Sequence, residues 1–90
     1  MSWTIKFSSH AEKYYKRLDS ILKTRIKKEL LELSGVEDPL SHPAVKPLTG
    51  ELRGFYRIRI GSYRLVFSLI REDHIIAVVN LAPRGDVYKN

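Results

Sequence analysis

The sequence predicts an α+β domain in which an N-terminal helical hairpin packs on a mainly antiparallel, twisted sheet. Two observations predict this class: a short alternating segment precedes two helical segments, and three strand-like segments follow them. The element order is therefore strand, helix, helix and three strands. The chain has 90 residues, 43% of them hydrophobic, which is enough for one core. We expect residues 1–90 to form a single domain.

The N-terminal part predicts a strand and a first helix. Apolar and polar residues alternate over residues 3–7, as expected for a half-buried strand. Ser9 and Glu12 have the spacing of a capping box, which predicts that the helix starts at Ser9. Its apolar residues recur at helical spacing: Ala11, Tyr14, Tyr15 and Leu18.

A second helix is predicted immediately after the first. Either Asp19 or Ser20 can cap its N-terminus, and Gly35 is suited to end it. Its apolar stripe consists of Leu22, Ile26, Leu30 and Leu33. The short joint between the two helices indicates that they run antiparallel.

The C-terminal half predicts a long connection and then three strands. Three prolines interrupt the connection, which has a short extended piece near residues 45–48. Gly61-Ser62 is the signal of a two-residue hairpin turn. The predicted strands are residues 55–60, 63–70 and 75–82.

The hairpin around Gly61-Ser62 carries an unusual cluster of arginines. A two-residue turn places Arg59 opposite Arg64, and side chains alternate between the faces of a strand. Arg57, Arg59 and Arg64 therefore share one face, called the arginine face below. The opposite face is the predicted core face: Tyr56, Ile58, Ile60, Tyr63, Leu65 and Phe67.

The arginine face favours an anion as its ligand. Like charges directly opposite each other in a ladder destabilise it by a few tenths to about 1 kcal/mol. The hairpin offers no acidic residue to neutralise them. The alternative is an ordinary solvated face, but such faces usually mix charges of both signs. The planar guanidinium suits phosphate because it can donate two parallel hydrogen bonds.

Other residues extend the predicted site toward single-stranded RNA. Lys46 and Arg53 precede the hairpin, and Arg84 and Tyr88 follow the last strand. Cations for phosphates beside a ring for a base are what RNA binding needs. The net charge of +6 agrees with a polyanionic partner. Helix residues Lys23 and Lys27 are candidates for contact with ribosomal RNA, although a solvated helix face explains them as well.

The composition excludes several kinds of chemistry. The chain has no cysteine, which excludes disulfides, thiolate catalysis and cysteine zinc sites. His10, His42 and His74 are far apart in the sequence and show no metal-ligand spacing, so we expect neither metal nor cofactor. The sequence has no apolar run of membrane-spanning length and no signal-peptide core. We therefore expect a cytoplasmic protein without a membrane partner.

The segment LTGELRGFYRIRIGSYRLVFSL, followed by LAPRGDVYK, resembles the RelE/ParE toxin superfamily, and its ending resembles the archaeal-type RelE branch. The resemblance extends along essentially the whole chain. It implies the toxin of a type II toxin–antitoxin system, a ribosome-dependent endoribonuclease that cleaves mRNA in the ribosomal A site. A cognate RelB-like antitoxin is implied as partner. The implied catalytic positions are Arg57, Arg59, Arg64 and Arg84, with Tyr88 stacking on a base.

Two departures from the family pattern stand out. Bacterial RelE-type proteins often carry lysines where Arg57 and Arg59 stand, which leaves the general base unassigned. Many also have a C-terminal helix that this sequence does not predict, which leaves the mode of inhibition by the antitoxin open.

Two other functions remain open at the level of sequence. A ParE-type toxin would inhibit DNA gyrase without cutting RNA, and inhibition of supercoiling would identify it. A non-catalytic module on the same scaffold would bind RNA or titrate an antitoxin. Salt-dependent RNA affinity without cleavage products would identify that module.

Overall fold

Two helices pack on a five-stranded sheet in the computed structural model, which describes residues 2–83. Helix α1 spans Ser9–Lys16 and α2 spans Ser20–Gly35. The strands are β1 Thr4–Phe7, β2 Val45–Pro47, β3 Tyr56–Ile60, β4 Tyr63–Ile70 and β5 Ile75–Pro83. The α+β class and the element order are confirmed, and the extended piece predicted in the long connection is β2.

The sheet has the strand order β1-β5-β4-β3-β2. The chain-adjacent pairs β2–β3, β3–β4 and β4–β5 are antiparallel, and β1 pairs with β5 in parallel. The predicted mainly antiparallel sheet is therefore confirmed. The position of β1 beside the last strand is a long-range pairing that the local sequence pattern did not indicate.

The β3–β4 hairpin has the predicted register. Ile60 pairs with Tyr63 and Arg59 pairs with Arg64, so Gly61-Ser62 forms the two-residue turn. Gly61 has a φ of +61°, in the left-handed region that favours glycine. A Cβ atom at this position would lie 3.1 Å from the guanidinium of the exposed Arg25, a flexible side chain that can move away, so the backbone conformation is the main reason for glycine.

Helix α1 starts at Ser9 as predicted, but its N-cap differs from the prediction. Ser8, one residue earlier than predicted, is the N-cap, and its Oγ accepts a hydrogen bond from the Ala11 N–H at 3.1 Å. The capping box between Ser9 and Glu12 is therefore wrong, because the shift by one residue puts Ser9 inside the helix. For α2, Asp19 is the cap, since its Oδ1 accepts from the Leu22 N–H at 2.8 Å.

The core lies between the helices and one face of the sheet. Helix α1 contacts β1 and β5, and α2 crosses the sheet from β1 to β3. The predicted core face of the hairpin is confirmed, because Ile58, Ile60, Leu65 and Phe67 are all buried. Both described helices therefore lie on the core side, away from the arginine face. Neither of them has the length and apolar character that crossing a membrane requires.

Candidate nucleic-acid interface

The sheet brings four predicted cations together on the face opposite the described helices. Arg59 and Arg64 are direct ladder partners, and Arg57 is flanked across β2 by Lys46. The Cβ atoms of directly opposed residues lie about 4.5–5.5 Å apart, so two such side chains can contact one phosphate. Lys46 and Arg59 are exposed, whereas Arg57 and Arg64 are half-buried.

The charge of this face is not balanced within its own strands. Neither β3 nor β4 contains a carboxylate or a histidine. Two ion pairs of the described residues, Lys16–Glu12 and Arg71–Asp38, lie outside the hairpin. The Nε atom of Arg64 is fully buried, which fixes part of its guanidinium beneath the surface. The face is therefore a concentrated positive field suited to a phosphate.

A small pocket adjoins the arginine face. Its volume is about 200 Å³, and it is called the bulge pocket below. The lining residues are Leu52, Phe55, Val66, Val79 and Asn80. Val66 is the ladder partner of Arg57, yet it is only 3% exposed. Sequence reasoning missed Leu52, Val79 and Asn80, which come from a turn and from a strand outside the hairpin.

The remaining predicted contacts are not all brought to this face. Arg53 is exposed in the turn next to Leu52, outside the strands that carry the arginine face. Lys23 and Lys27 belong to α2, which packs on the core side of the sheet. Arg84 and Tyr88 lie outside the described residues.

One group of possible metal ligands occurs among residues 2–83. Ligand atoms of Glu29, Glu32 and His42 lie within 4.8 Å of one another, a proximity that the sequence spacing of the histidines did not indicate. However, His42 Nδ1 accepts a hydrogen bond from the Ala44 N–H at 3.1 Å. A neutral imidazole that accepts at Nδ1 carries its proton on Nε2, which then has no lone pair for a metal. The group is therefore not assigned as a metal centre.

Helix α2 carries exposed apolar side chains on its outer surface. Leu31 is 58% exposed and Ile21 is 82% exposed. Leu31 also lines a groove of about 370 Å³ with Ile5, Phe7, Tyr15, Lys27 and Leu30. This groove combines apolar walls with a lysine, so it differs in character from the arginine face.

The sequence matches the family described as the ParE toxin of the type II toxin–antitoxin system parDE over residues 5–88. It is 30% identical to the mRNA interferase toxin RelE of Escherichia coli K12, over 98% of this chain and 92% of that protein. The fold is similar to the RelBE2 toxin–antitoxin complex of Mycobacterium tuberculosis, with a TM-score of 0.80, 25% identity and coverage of 96% of this chain and 95% of that one. It is also similar to the archaeal RelE–RelB complex of Pyrococcus horikoshii, with a TM-score of 0.76, 26% identity and coverage of 96% and 99%.

Proposed function

The chain belongs to the RelE/ParE family of type II toxin–antitoxin toxins, and on that premise we propose that it is a ribosome-dependent endoribonuclease that cleaves mRNA in the A site. The observation that supports this activity most directly is the ladder pair Arg59–Arg64, with Arg57 and Lys46 on the same face. The relative in Escherichia coli, which aligns over nearly the whole chain, is named an mRNA interferase.

The proposed reaction uses the RNA as its own nucleophile. The 2′-oxygen attacks the adjacent phosphorus, and the bond from phosphorus to the 5′-oxygen breaks. The 2′-hydroxyl loses its proton and the leaving 5′-oxygen gains one. The products are a 2′,3′-cyclic phosphate and a 5′-hydroxyl end, and no metal or cofactor enters the reaction.

The arginines supply mainly electrostatic stabilisation in this proposal. Arg64 neutralises the scissile phosphate, while Arg57 and Arg59 orient the phosphate and the 2′-hydroxyl, with Arg59 nearest to the role of base. A guanidinium stays protonated at neutral pH, so it is a poor base but a good partner for developing negative charge. Arg84 would stabilise the leaving oxygen and Tyr88 would stack on a base, although both lie outside the described residues.

The lack of proton-transfer groups in the hairpin supports the proposed ribosome dependence. No histidine or carboxylate stands beside the arginines in β3 or β4 to transfer protons efficiently. Positioning of the RNA must then contribute more of the rate, and orientation alone can supply several orders of magnitude. A ribosome that holds the codon in place provides that positioning. With this substrate we propose a cytoplasmic location. We propose Lys46 and Arg53 as further RNA contacts, and Lys23 and Lys27 as contacts to ribosomal RNA.

Primer extension on a defined mRNA, with and without purified ribosomes, tests the proposed function. We expect discrete cuts at A-site codons that appear only when ribosomes are present. An uncut message under both conditions would contradict the nuclease proposal. Cuts without ribosomes would keep the nuclease but remove the ribosome as its partner.

A gyrase inhibitor is the second candidate function. The description of the matching family names the ParE toxin, and this observation favours a direct test of gyrase inhibition. The matched experiment is a DNA supercoiling assay with the same protein preparation. Inhibited supercoiling together with an uncut message would replace the proposed function by the ParE-type one.

The proposed protein partner is a cognate RelB-like antitoxin. Two similar structures are complexes of a RelE-type toxin with its antitoxin. We propose that an acidic, amphipathic segment of the antitoxin docks in the groove beside Leu31. Apolar walls at Ile5 and Phe7 fit the apolar side of such a segment, and Lys27 fits its charge.

Leu31→Glu tests this docking site. We expect the dissociation constant for the antitoxin to rise at least about 10-fold, because a buried leucine contact is worth roughly 1.5–3 kcal/mol. Calorimetric titration measures the change. Ile21→Glu is the matched control, since Ile21 is more exposed than Leu31 and does not line the groove. Equal losses in both variants, or none in Leu31→Glu, would reject this site.

A further inference from the structure

The bulge pocket is a feature of the described residues that the proposed chemistry does not use. It lies on the arginine side of the sheet and shares Val66 with the ladder that holds Arg57. We propose that this pocket binds one base of the RNA strand, next to the phosphate held on the arginine face. This inference rests on the proposed function and adds a base-specific subsite to it.

A β-bulge creates the pocket. Val66 pairs with Asn80 and Phe67 pairs with Val78, so Val79 is an extra residue in β5. In a regular strand, consecutive side chains point to opposite faces. Here Val78 and Leu81 are both buried in the core, while the consecutive residues Val79 and Asn80 both line the pocket. Bulges are frequent beside active sites because they redirect side chains in this way.

The first turn of α1 anchors the bulge. The Ser8 N–H donates to the Val78 carbonyl at 2.8 Å, and the Ser8 Oγ donates to the Val79 carbonyl at 3.3 Å. Ser8 also caps α1, so one residue ties the helix start to the irregular part of β5. Hydrogen bonds to the start of α1 therefore hold the bulged segment that lines the pocket.

The lining of the pocket suits a flat heterocycle with acceptor atoms. Phe55 offers a half-buried ring for stacking, and Leu52 and Val79 provide apolar walls. Asn80 Oδ1 accepts from the Leu81 N–H at 2.8 Å, which leaves the amide N–H groups of Asn80 to donate to a ligand. Carbonyl oxygens of uracil or guanine are matching acceptors. The volume of about 200 Å³ is below the roughly 300–1,000 Å³ of drug-sized sites and fits one base.

The pocket lies where an RNA strand bound to the arginine face could place a base. Phe55 precedes Arg57 by two residues on the same face, a separation of about 6.6 Å along the strand. Lys46 flanks Arg57 on its other side. When a phosphate of the RNA contacts Arg57, a base next to that phosphate can therefore enter the pocket. The surrounding positive charge favours nucleic acid as the occupant over a neutral apolar ligand.

The experiment uses ribosomes programmed with a series of messages. Each message lacks the base of one nucleotide near the A site, and the abasic position differs from message to message. Single-turnover cleavage rates are measured for wild type, Phe55→Ala, Phe55→Tyr and Arg57→Ala. At one position we expect the abasic message to be cut about 10-fold more slowly by wild type, as loss of one stacked base predicts. Phe55→Ala should cleave the intact message about 10-fold more slowly than wild type does. Its cleavage rate should not change when the base at that position is removed. Phe55→Tyr should behave like wild type, because its ring still stacks.

The outcomes separate the pocket from the nuclease function. If wild type does not cut the intact message, the proposed function fails and the base subsite fails with it. If wild type cuts, Arg57→Ala is slow and Phe55→Ala cuts every message like wild type, the base subsite alone is rejected. Thermal melts of Phe55→Ala and Phe55→Tyr confirm that both variants are folded, so a slow rate reflects the site.

Discussion

Arg64→Ala is expected to slow mRNA cleavage on the ribosome by about 100- to 1,000-fold and to abolish growth arrest in cells. This range is typical for removal of one group that stabilises charge in a transition state. Arg64 faces Arg59 across the ladder and its Nε is buried, so its guanidinium is held in place better than an exposed arginine would be. Single-turnover primer extension measures the rate, and circular dichroism checks the fold.

Arg71→Ala is the matched control for Arg64→Ala. Arg71 is 56% exposed and pairs with Asp38 at 3.4 Å, away from the hairpin. A surface ion pair of this kind contributes at most about 1 kcal/mol to stability, so this variant should fold and cleave like wild type. If Arg64→Ala stays fully toxic, or if Arg71→Ala loses as much activity, the arginine face is not the catalytic surface.

Phe67→Ala is expected to lower the free energy of unfolding by about 3–5 kcal/mol, because it leaves a cavity in the core. Phe67 is fully buried and its ring centroid lies 5.9 Å from that of Tyr56 on the adjacent strand. Domains of this size are stable by only about 5–15 kcal/mol, so the variant should be close to unfolding. The expected drop in Tm exceeds roughly 10 °C, measured by calorimetry or by thermal circular dichroism.

Ile70→Ala serves as the control on the same strand. Ile70 is 39% exposed at the end of β4, so its truncation should cost no more than about 1 kcal/mol. A melting temperature of Phe67→Ala within a few degrees of wild type would mean that the sheet does not form the core described here.

Much of the candidate site could be predicted because it depends on local rules. A two-residue turn fixes the register of a hairpin, and alternation then decides which side chains share a face. The pairing of Arg59 with Arg64 and the burial of Leu65 followed from these rules, and the structure has both. The roles of Arg84 and Tyr88 came from the family resemblance and remain predictions.

The errors and omissions of the sequence analysis arise from contacts between segments that are far apart in the sequence. The cap of α1 shifted to Ser8 because that residue also binds β5, a contact between segments far apart in the sequence. His42 lies near Glu29 and Glu32 because the connection after α2 folds back, which residue spacing cannot indicate. The packing of α2 on the core side separates Lys23 and Lys27 from the arginine face, and their contact with ribosomal RNA stays a prediction.

The sequence by itself determined the fold class, the hairpin, its core and arginine faces, and the absence of cysteine chemistry. Each of these depends on composition or on residues within a few positions of each other. The tertiary structure alone decided that β1 lies beside β5 and that β5 bulges at Val79, which puts Asn80 next to Phe55 in one pocket. A bulge depends on how two strands pair along their whole length. The local sequence Val79-Asn80 is equally compatible with a regular strand, so it does not predict the bulge.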